Sequence, residues 1–285
     1  QWSAVERPVT TGLPEVNGKM FLTQILGYWV VAGESGAGKS ALMMKIAKYN
    51  AEQGRRVTVA SLEMDKVMLY LRMAMEDPLC AGLELTEQNI KNVNKMSNIR
   101  KATDKLRKLP ISVIEGVRNI FSIDRLARHI AIERGSELLC FDYIQLGETA
   151  PIDKDVVRVS TVSRILQSLT APRLVDGYKG QPVLALSQYN GEGGKARSKG
   201  GQAGNMDLAW SSQIAKDADG ILHLNIDSDG EKESIINVRC GKQRNYKSGW
   251  EVPITFDKLR QTFYTQASRQ VTNVVKPQTM RPIRF

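Results

Sequence analysis

Eight consecutive residues, Gly33, Glu34, Ser35, Gly36, Ala37, Gly38, Lys39 and Ser40, fit the pattern G-x-x-x-x-G-K-[ST] without a mismatch. Glycines in such a loop let backbone N–H groups turn inward around the α- and β-phosphates of a nucleotide. The Lys39 ammonium adds a point charge at the β- and γ-phosphates, and the Ser40 hydroxyl is the kind of hard oxygen ligand that Mg²⁺ takes. A nucleoside triphosphate with Mg²⁺ is therefore the expected ligand. Hydrolysis needs more than a cradle. The apolar run 138–142 ends in Asp142, the Walker B arrangement, which in a parallel sheet places a carboxylate at the edge where the phosphate loop lies. Glu63 follows another apolar run, 57–61. If that strand neighbours the loop strand, Glu63 is placed to orient or deprotonate a water; otherwise it is an acid favoured by the dipole of the following helix.

The elements that must position these residues are legible in the hydrophobic pattern. Apolar runs at 28–32, 57–61, 111–114, 138–142, 183–187 and 221–225 read as strands, most of them uniformly apolar as central parallel strands are. Helical spacing lies between them: Leu42, Met43 and Ile46; Val67, Met68, Leu71 and Met75; Ile123, Leu126, Ala127 and Ile130; Val159, Val162, Leu166 and Leu169. The series predicts an α/β fold, a mostly parallel central sheet with helices on both faces. After Asp227 the pattern changes, and 235–239, 252–256 and 262–264 suggest C-terminal edge hairpins.

Composition bounds the rest. A chain of 285 residues with 42% hydrophobic content supports one sizeable core. One domain over 1–265 is expected, followed at 266–285 by a basic C-terminal tail that carries Arg269, Lys276, Arg281 and Arg284 and no acid. Membrane-spanning runs and a signal pattern are missing from the sequence, so a cytoplasmic protein without a membrane partner is expected. Cys80, Cys140 and Cys240 are too scattered for a disulfide framework or a zinc module, and His129 and His223 have no third ligand at useful spacing. The net charge of +10 suits a polyanion. Residues 191–204 hold six glycines with Lys195, Arg197 and Lys199 against one acid, Glu192. Such a loop either follows a phosphate backbone or is a solvated insertion.

Behind the phosphate loop come, in order, Ser61-Leu62-Glu63-Met64, Phe141-Asp142-Tyr143-Ile144-Gln145-Leu146, Ala185-Leu186-Ser187-Gln188, Asp217-Ala218-Asp219 and Lys242-Gln243-Arg244-Asn245, and Thr10-Thr11-Gly12-Leu13-Pro14 precedes it. Together these motifs resemble the C-terminal RecA-like ATPase domain of DnaB-type replicative DNA helicases over most of residues 10–265. The resemblance implies a RecA-like P-loop ATPase in which Glu63 is the catalytic glutamate, Asp142 the Mg²⁺ carboxylate and Gln188 the γ-phosphate sensor. It implies further that Arg244 is a finger inserted by a neighbouring subunit, with Lys242 beside it. On residue chemistry alone Lys242 and Arg244 are equally edge-strand charges that oppose aggregation. The family also implies a homo-oligomer, usually a hexamer, moving 5′ to 3′ on single-stranded DNA in a bacterial, phage or plasmid replication context, with primase or a helicase loader as a further partner.

The sequence departs from the family in two places. The DNA-facing segment usually carries Arg, Glu and Gly, whereas this chain has Ala209, Trp210, Ser211 and Ser212. Backbone N–H groups of Ser211 and Ser212, the charges of Lys195, Arg197 and Lys199, and stacking by Trp210 are the remaining candidates for DNA contact, and a subunit contact is the other reading of Trp210. Secondly, the family carries an N-terminal domain and linker helix, and about nine residues precede the Thr10 motif, so weakened ring assembly is expected. Two alternatives to a motor follow: another RecA-type ATPase of the recombinase kind, or a nucleotide-dependent scaffold on DNA or replication proteins.

Overall fold

The computed structural model describes residues 8–20, 25, 27–80, 83–84, 91–149, 154–189 and 212–264. Among them nine strands form one sheet: β1 (Tyr28–Gly33), β2 (Val57–Ser61), β3 (Ile111–Ile114), β4 (Leu138–Asp142), β5 (Val183–Gln188), β6 (Gly220–Asp229), β7 (Glu233–Gln243), β8 (Glu251–Asp257) and β9 (Thr262–Tyr264). Their order is β3-β2-β4-β5-β1-β6-β7-β8-β9. The first six in that order run parallel, and β7, β8 and β9 extend the sheet antiparallel from β6. The expected architecture is present, parallel centre and antiparallel edge alike.

The described helices are α1 (Pro14–Asn17), α2 (Lys39–Glu52), α3 (Lys66–Ala74), α4 (Val93–Leu106), α5 (Ile120–Arg134), α6 (Asp155–Ser168) and α7 (Ser212–Asp217). Side chains alternate across a strand, so each apolar run feeds two cores. Val31, Val59 and Cys140 face α2, α3 and α4, while Val30, Ala60 and Phe141 face α5, α6 and α7. This two-sided burial is why the central strands read as unbroken apolar runs.

Three details differ from the expected pattern. Helix α4 had no counterpart in it; among its described residues Ile99, Ala102 and Leu106 are buried and Met96 packs against the core, too few apolar positions to stand out as a stripe. Helix α3 buries Leu69, Tyr70, Met73 and Ala74; of the expected stripe, Met75 just past its end is buried and Leu71 packs against the core, but Val67 is 73% exposed. Most of its circumference is apolar, so periodicity does not select a face. Strands β6 and β7 outrun their apolar segments because the hairpin they form continues into polar residues at both ends.

Candidate functional site

Strand β1 ends at Gly33 and the chain turns through residues 34–38 into α2. Gly36 and Gly38 have φ of 83° and 82°, the left-handed region open to glycine at little cost. At Gly38 the need is also steric, since a Cβ would lie 2.7 Å from Phe263 Cζ. Lys39 is 7% exposed, and its Nζ donates to the carbonyl oxygens of Gly33 at 3.0 Å and Glu34 at 2.7 Å. Burial lowers its pKa to about 8 against the opposing pull of Asp142, Glu63 and Glu34. The ammonium thus spans its own loop.

Asp142 closes β4 at 1% exposure. Burial raises its carboxyl to about 6, with Glu63 adding to the effect and the Ser40 hydrogen bond, Lys39 and Arg72 opposing it. One carboxylate oxygen, Oδ2, is buried with no hydrogen-bond partner. An orphaned carboxylate oxygen is costly unless something fills its place. Beside the Ser40 hydroxyl it makes the hard-oxygen donor pair that Mg²⁺ prefers, so the residues fit that ion.

Glu63 reaches this place by a route other than the expected one. Strand β2 does not neighbour β1, because β4 and β5 lie between them. It pairs instead with β4, Ser61 opposite Asp142. The Leu62 N–H then donates to the Asp142 carbonyl oxygen at 2.8 Å, and Ser61 closes a turn by donating from Oγ to the Met64 carbonyl oxygen at 2.6 Å. Helix α3 begins only at Lys66 and is capped by Asp65. Gln188 ends β5 opposite Gly33, so the register sets it against the loop. The Tyr143 phenol hydrogen-bonds its side chain. Gln145 secures the strand end, its Nε2 donating to Ser187 Oγ at 2.9 Å and its Oε1 accepting from the Gln188 N–H at 3.3 Å.

These groups line one cleft of about 490 Å³ that takes in Ser35, Gly36, Gly38, Lys39, Ser40, Glu63, Asp142 and Gln188. The cleft also holds residues that sequence reasoning missed: Arg72 and Tyr143 near the carboxylates, and Asp229, Phe256, Lys258 and Gln261 from the antiparallel edge. Arg72 Nε is buried without a partner. Lys258 and Asp229 pair at 2.6 Å across one wall. No motif marks these edge residues, because the antiparallel pairing, not spacing along the chain, folds them over the loop.

Lys242 and Arg244 lie elsewhere. Gln243 pairs with Gly220 and Gly220 with Trp29, so both basic residues sit near the amino end of β1. The phosphate loop leaves the other end, about 13 Å away at ~3.3 Å per residue. Strand β8 pairs with β7 only from Glu233 to Arg239, so at Lys242 the strand has β6 alone beside it, and Arg244 follows the strand's last residue, Gln243. Lys242 Nζ donates to the carbonyl oxygens of Ala215 at 2.7 Å and Lys216 at 3.2 Å near the end of α7. Burial, then Arg244, lowers its pKa. Ser212 is the exposed first residue of α7; Lys195, Arg197, Lys199, Trp210 and Ser211 lie outside the described residues. His223 is buried with its Nδ1 2.8 Å from the Tyr189 hydroxyl, and no cluster of metal-binding side chains occurs among the described residues. All three cysteines are buried and free.

The fold has counterparts among known proteins. One is an ATPase domain with TM-score 0.74 and 23% identity over 90% of each chain. Another is a DnaB-like replicative helicase solved for its interactions with primase, with TM-score 0.75, 22% identity, and 92% of this chain against 62% of that one. A third is a KaiC-like protein of the hyperthermophilic archaeon Pyrococcus horikoshii, with TM-score 0.58, 14% identity, and 90% of this chain against 97% of that one. At such identities these likenesses carry the fold. No curated protein matches the chain in sequence. Residues 9–265, nearly the whole of the described structure, match the family of the DnaB-like helicase C terminal domain, and the chain belongs to that family.

Proposed function

We propose that this protein is an ATP-dependent DNA helicase that translocates 5′ to 3′ along single-stranded DNA as a hexameric ring in replication. The observation that carries the reading is a divided site. The phosphate loop, Asp142 and Glu63 converge on one cleft, while Arg244 stands at the opposite end of the sheet, beyond reach of its own nucleotide. Turnover then depends on a neighbour.

In this mechanism the loop amides and Lys39 bind the β- and γ-phosphates, Ser40 and Asp142 hold Mg²⁺, and Glu63 takes a proton from the attacking water. Mg²⁺ held by Ser40 and Asp142 would supply positive charge against the triphosphate. Gln188 reads the γ-phosphate from the end of β5, and Arg244 of the adjacent copy enters as a permanently charged, bidentate donor. A finger of this kind contributes roughly 10³ to 10⁵ in rate. Lys242 supports the same region through α7. DNA contact is assigned to Lys195, Arg197, Lys199 and the 210–212 segment. Primase is the proposed protein partner, the class with which the compared DnaB-like helicase interacts.

Steady-state ATP hydrolysis at low salt, with and without single-stranded DNA, tests the reading, with Lys39→Ala as the blank. Strong stimulation by DNA and unwinding of a forked duplex are expected. Glu63→Gln should bind nucleotide and lose at least ~100-fold in turnover. Hydrolysis indifferent to DNA would replace the motor by a nucleotide-dependent scaffold, and strand exchange without unwinding would mark a recombinase.

A further inference from the structure

Arg244 does not project freely. Its Nη1 lies 3.0 Å from Asp219 Oδ1, and its backbone N–H donates to the Asp219 carbonyl oxygen at 2.7 Å. Asp219 is itself held from the other side. Its N–H donates to the Tyr28 carbonyl oxygen at 2.7 Å, and its Oδ2 accepts from the Tyr28 N–H at 2.9 Å. Gly27, at φ 71°, packs so close that a Cβ there would collide with Asp219 Oδ2. One carboxylate is thus shared between the first residue of β1 and the guanidinium of Arg244.

The pair is poorly placed to stabilise the fold. Arg244 is half-exposed, and ion pairs in that setting contribute little to stability. What a carboxylate does for a guanidinium at such a distance is restrict direction, since the planar fork binds in few orientations. Lys242, two residues earlier, is likewise fixed, onto the end of α7. The strand end that carries Arg244 is therefore anchored on both sides of Gln243, to α7 and to β1.

We propose that Asp219 is a positioning residue that aims Arg244 of one copy at the nucleotide of the next. The proposal rests on the reading of Arg244 as a finger acting in trans. Asp219 belongs to the copy that donates the finger, so its loss must be felt at the neighbour's nucleotide and not at its own. A misplacement of about 1 Å can cost up to ~100-fold in rate.

Asp219→Asn keeps an oxygen to accept from the Tyr28 N–H and removes the negative charge that faces Arg244. The variant should bind a fluorescent ATP analogue with unchanged affinity, keep its KM, and lose about tenfold in kcat with single-stranded DNA present. Mixing it with Lys39→Ala should restore activity, because that subunit offers an intact Asp219–Arg244 pair to the variant's intact phosphate loop. Mixing it with Arg244→Ala should restore nothing. Unchanged kcat, or a loss of nucleotide affinity that Lys39→Ala does not rescue, would overturn the proposal and leave Asp219 a support for β1. A rise in kcat would also overturn it, showing Asp219 to be a lock that withholds the finger. Arg244→Ala mixed with Lys39→Ala separates the two levels: rescue there without rescue of Asp219→Asn removes the positioning role alone, whereas no rescue in either mixture removes the trans finger and the positioning role together.

Discussion

Asp142 carries an energetic penalty that protonation relieves and that a bound cation would relieve. Burial raises its carboxyl from the usual 3.8 to about 6. Because the folded value is the higher, the contribution to stability is present below pH ~4 and is lost as pH rises through 6. At about 1.4 kcal/mol for each pH unit that separates the two values, the ionised Asp142 carboxylate at neutral pH destabilises the fold by on the order of 1–3 kcal/mol. Asp142→Asn should therefore melt higher than the parent at pH 7.5 without nucleotide, by several degrees, and show no gain near pH 4. Equal melting temperatures at pH 7.5 would mean that the buried carboxylate costs nothing. The residue types and their order from Gly33 to Ser40, with Asp142 at a strand end, were legible in the sequence because a phosphate and a metal demand them. The orphaned Oδ2 was not, since it depends on which atoms of other elements fail to reach it.

Among the elements, the antiparallel edge is what closes the cleft, and it is fastened by one acid. Glu76, just beyond α3, pairs with Lys45 at 3.3 Å and Lys48 at 3.2 Å on α2, and Thr262 of β9 donates to it. Arg260, in the turn before β9, adds bonds to the Met75 carbonyl oxygen at 3.1 and 2.9 Å. Burial, the largest single influence, pushes the Glu76 carboxyl up, but Lys45, Lys48 and the Thr262 hydrogen bond together outweigh it and the net shift is downward. With the folded value depressed, this stability is present above the usual carboxylate range and is lost as pH falls through the folded value. Glu76→Ala removes the acid that Lys45 and Lys48 share, leaving Lys48 only Glu52 at 3.9 Å as a charged partner, and should lower stability at pH 7 by roughly 3 kcal/mol, read from urea unfolding. A loss below ~0.5 kcal/mol would make the network ornamental. Strands were readable from two-sided burial, whereas the buried face of α3 was not, because Val67, Met68 and Leu71 are as apolar as Leu69, Tyr70 and Met73.

At the scale of the whole molecule the strand order governs function. β4 and β5 stand between Glu63's strand and the loop strand, yet the parallel register delivers all four carboxyl ends to one edge. The same register, continued through β6 to β7, sends Arg244 to the opposite end. Arg244→Ala should bind ATP and hydrolyse it at least ~10³-fold more slowly, and mixing it with Lys39→Ala should recover a measurable fraction of the parent rate. Two inactive variants that stay inactive together in a hydrolysis assay would argue against a finger shared between copies.

The sequence by itself determined the ligand chemistry and the class of fold. A phosphate loop, a strand-end carboxylate and apolar runs of fixed period are local patterns, imposed by bonding geometry and burial over a few consecutive residues. Tertiary structure alone decided which distant groups share an edge: that Glu63 arrives beside Asp142 through β4, that Phe256 and Lys258 wall the cleft, and that Asp219 holds Arg244. Those relations depend on strand order and register, which join residues as far apart as Tyr28 and Asp219. No spacing along the chain encodes them, because long-range pairing is selected by the free energy of the packed whole.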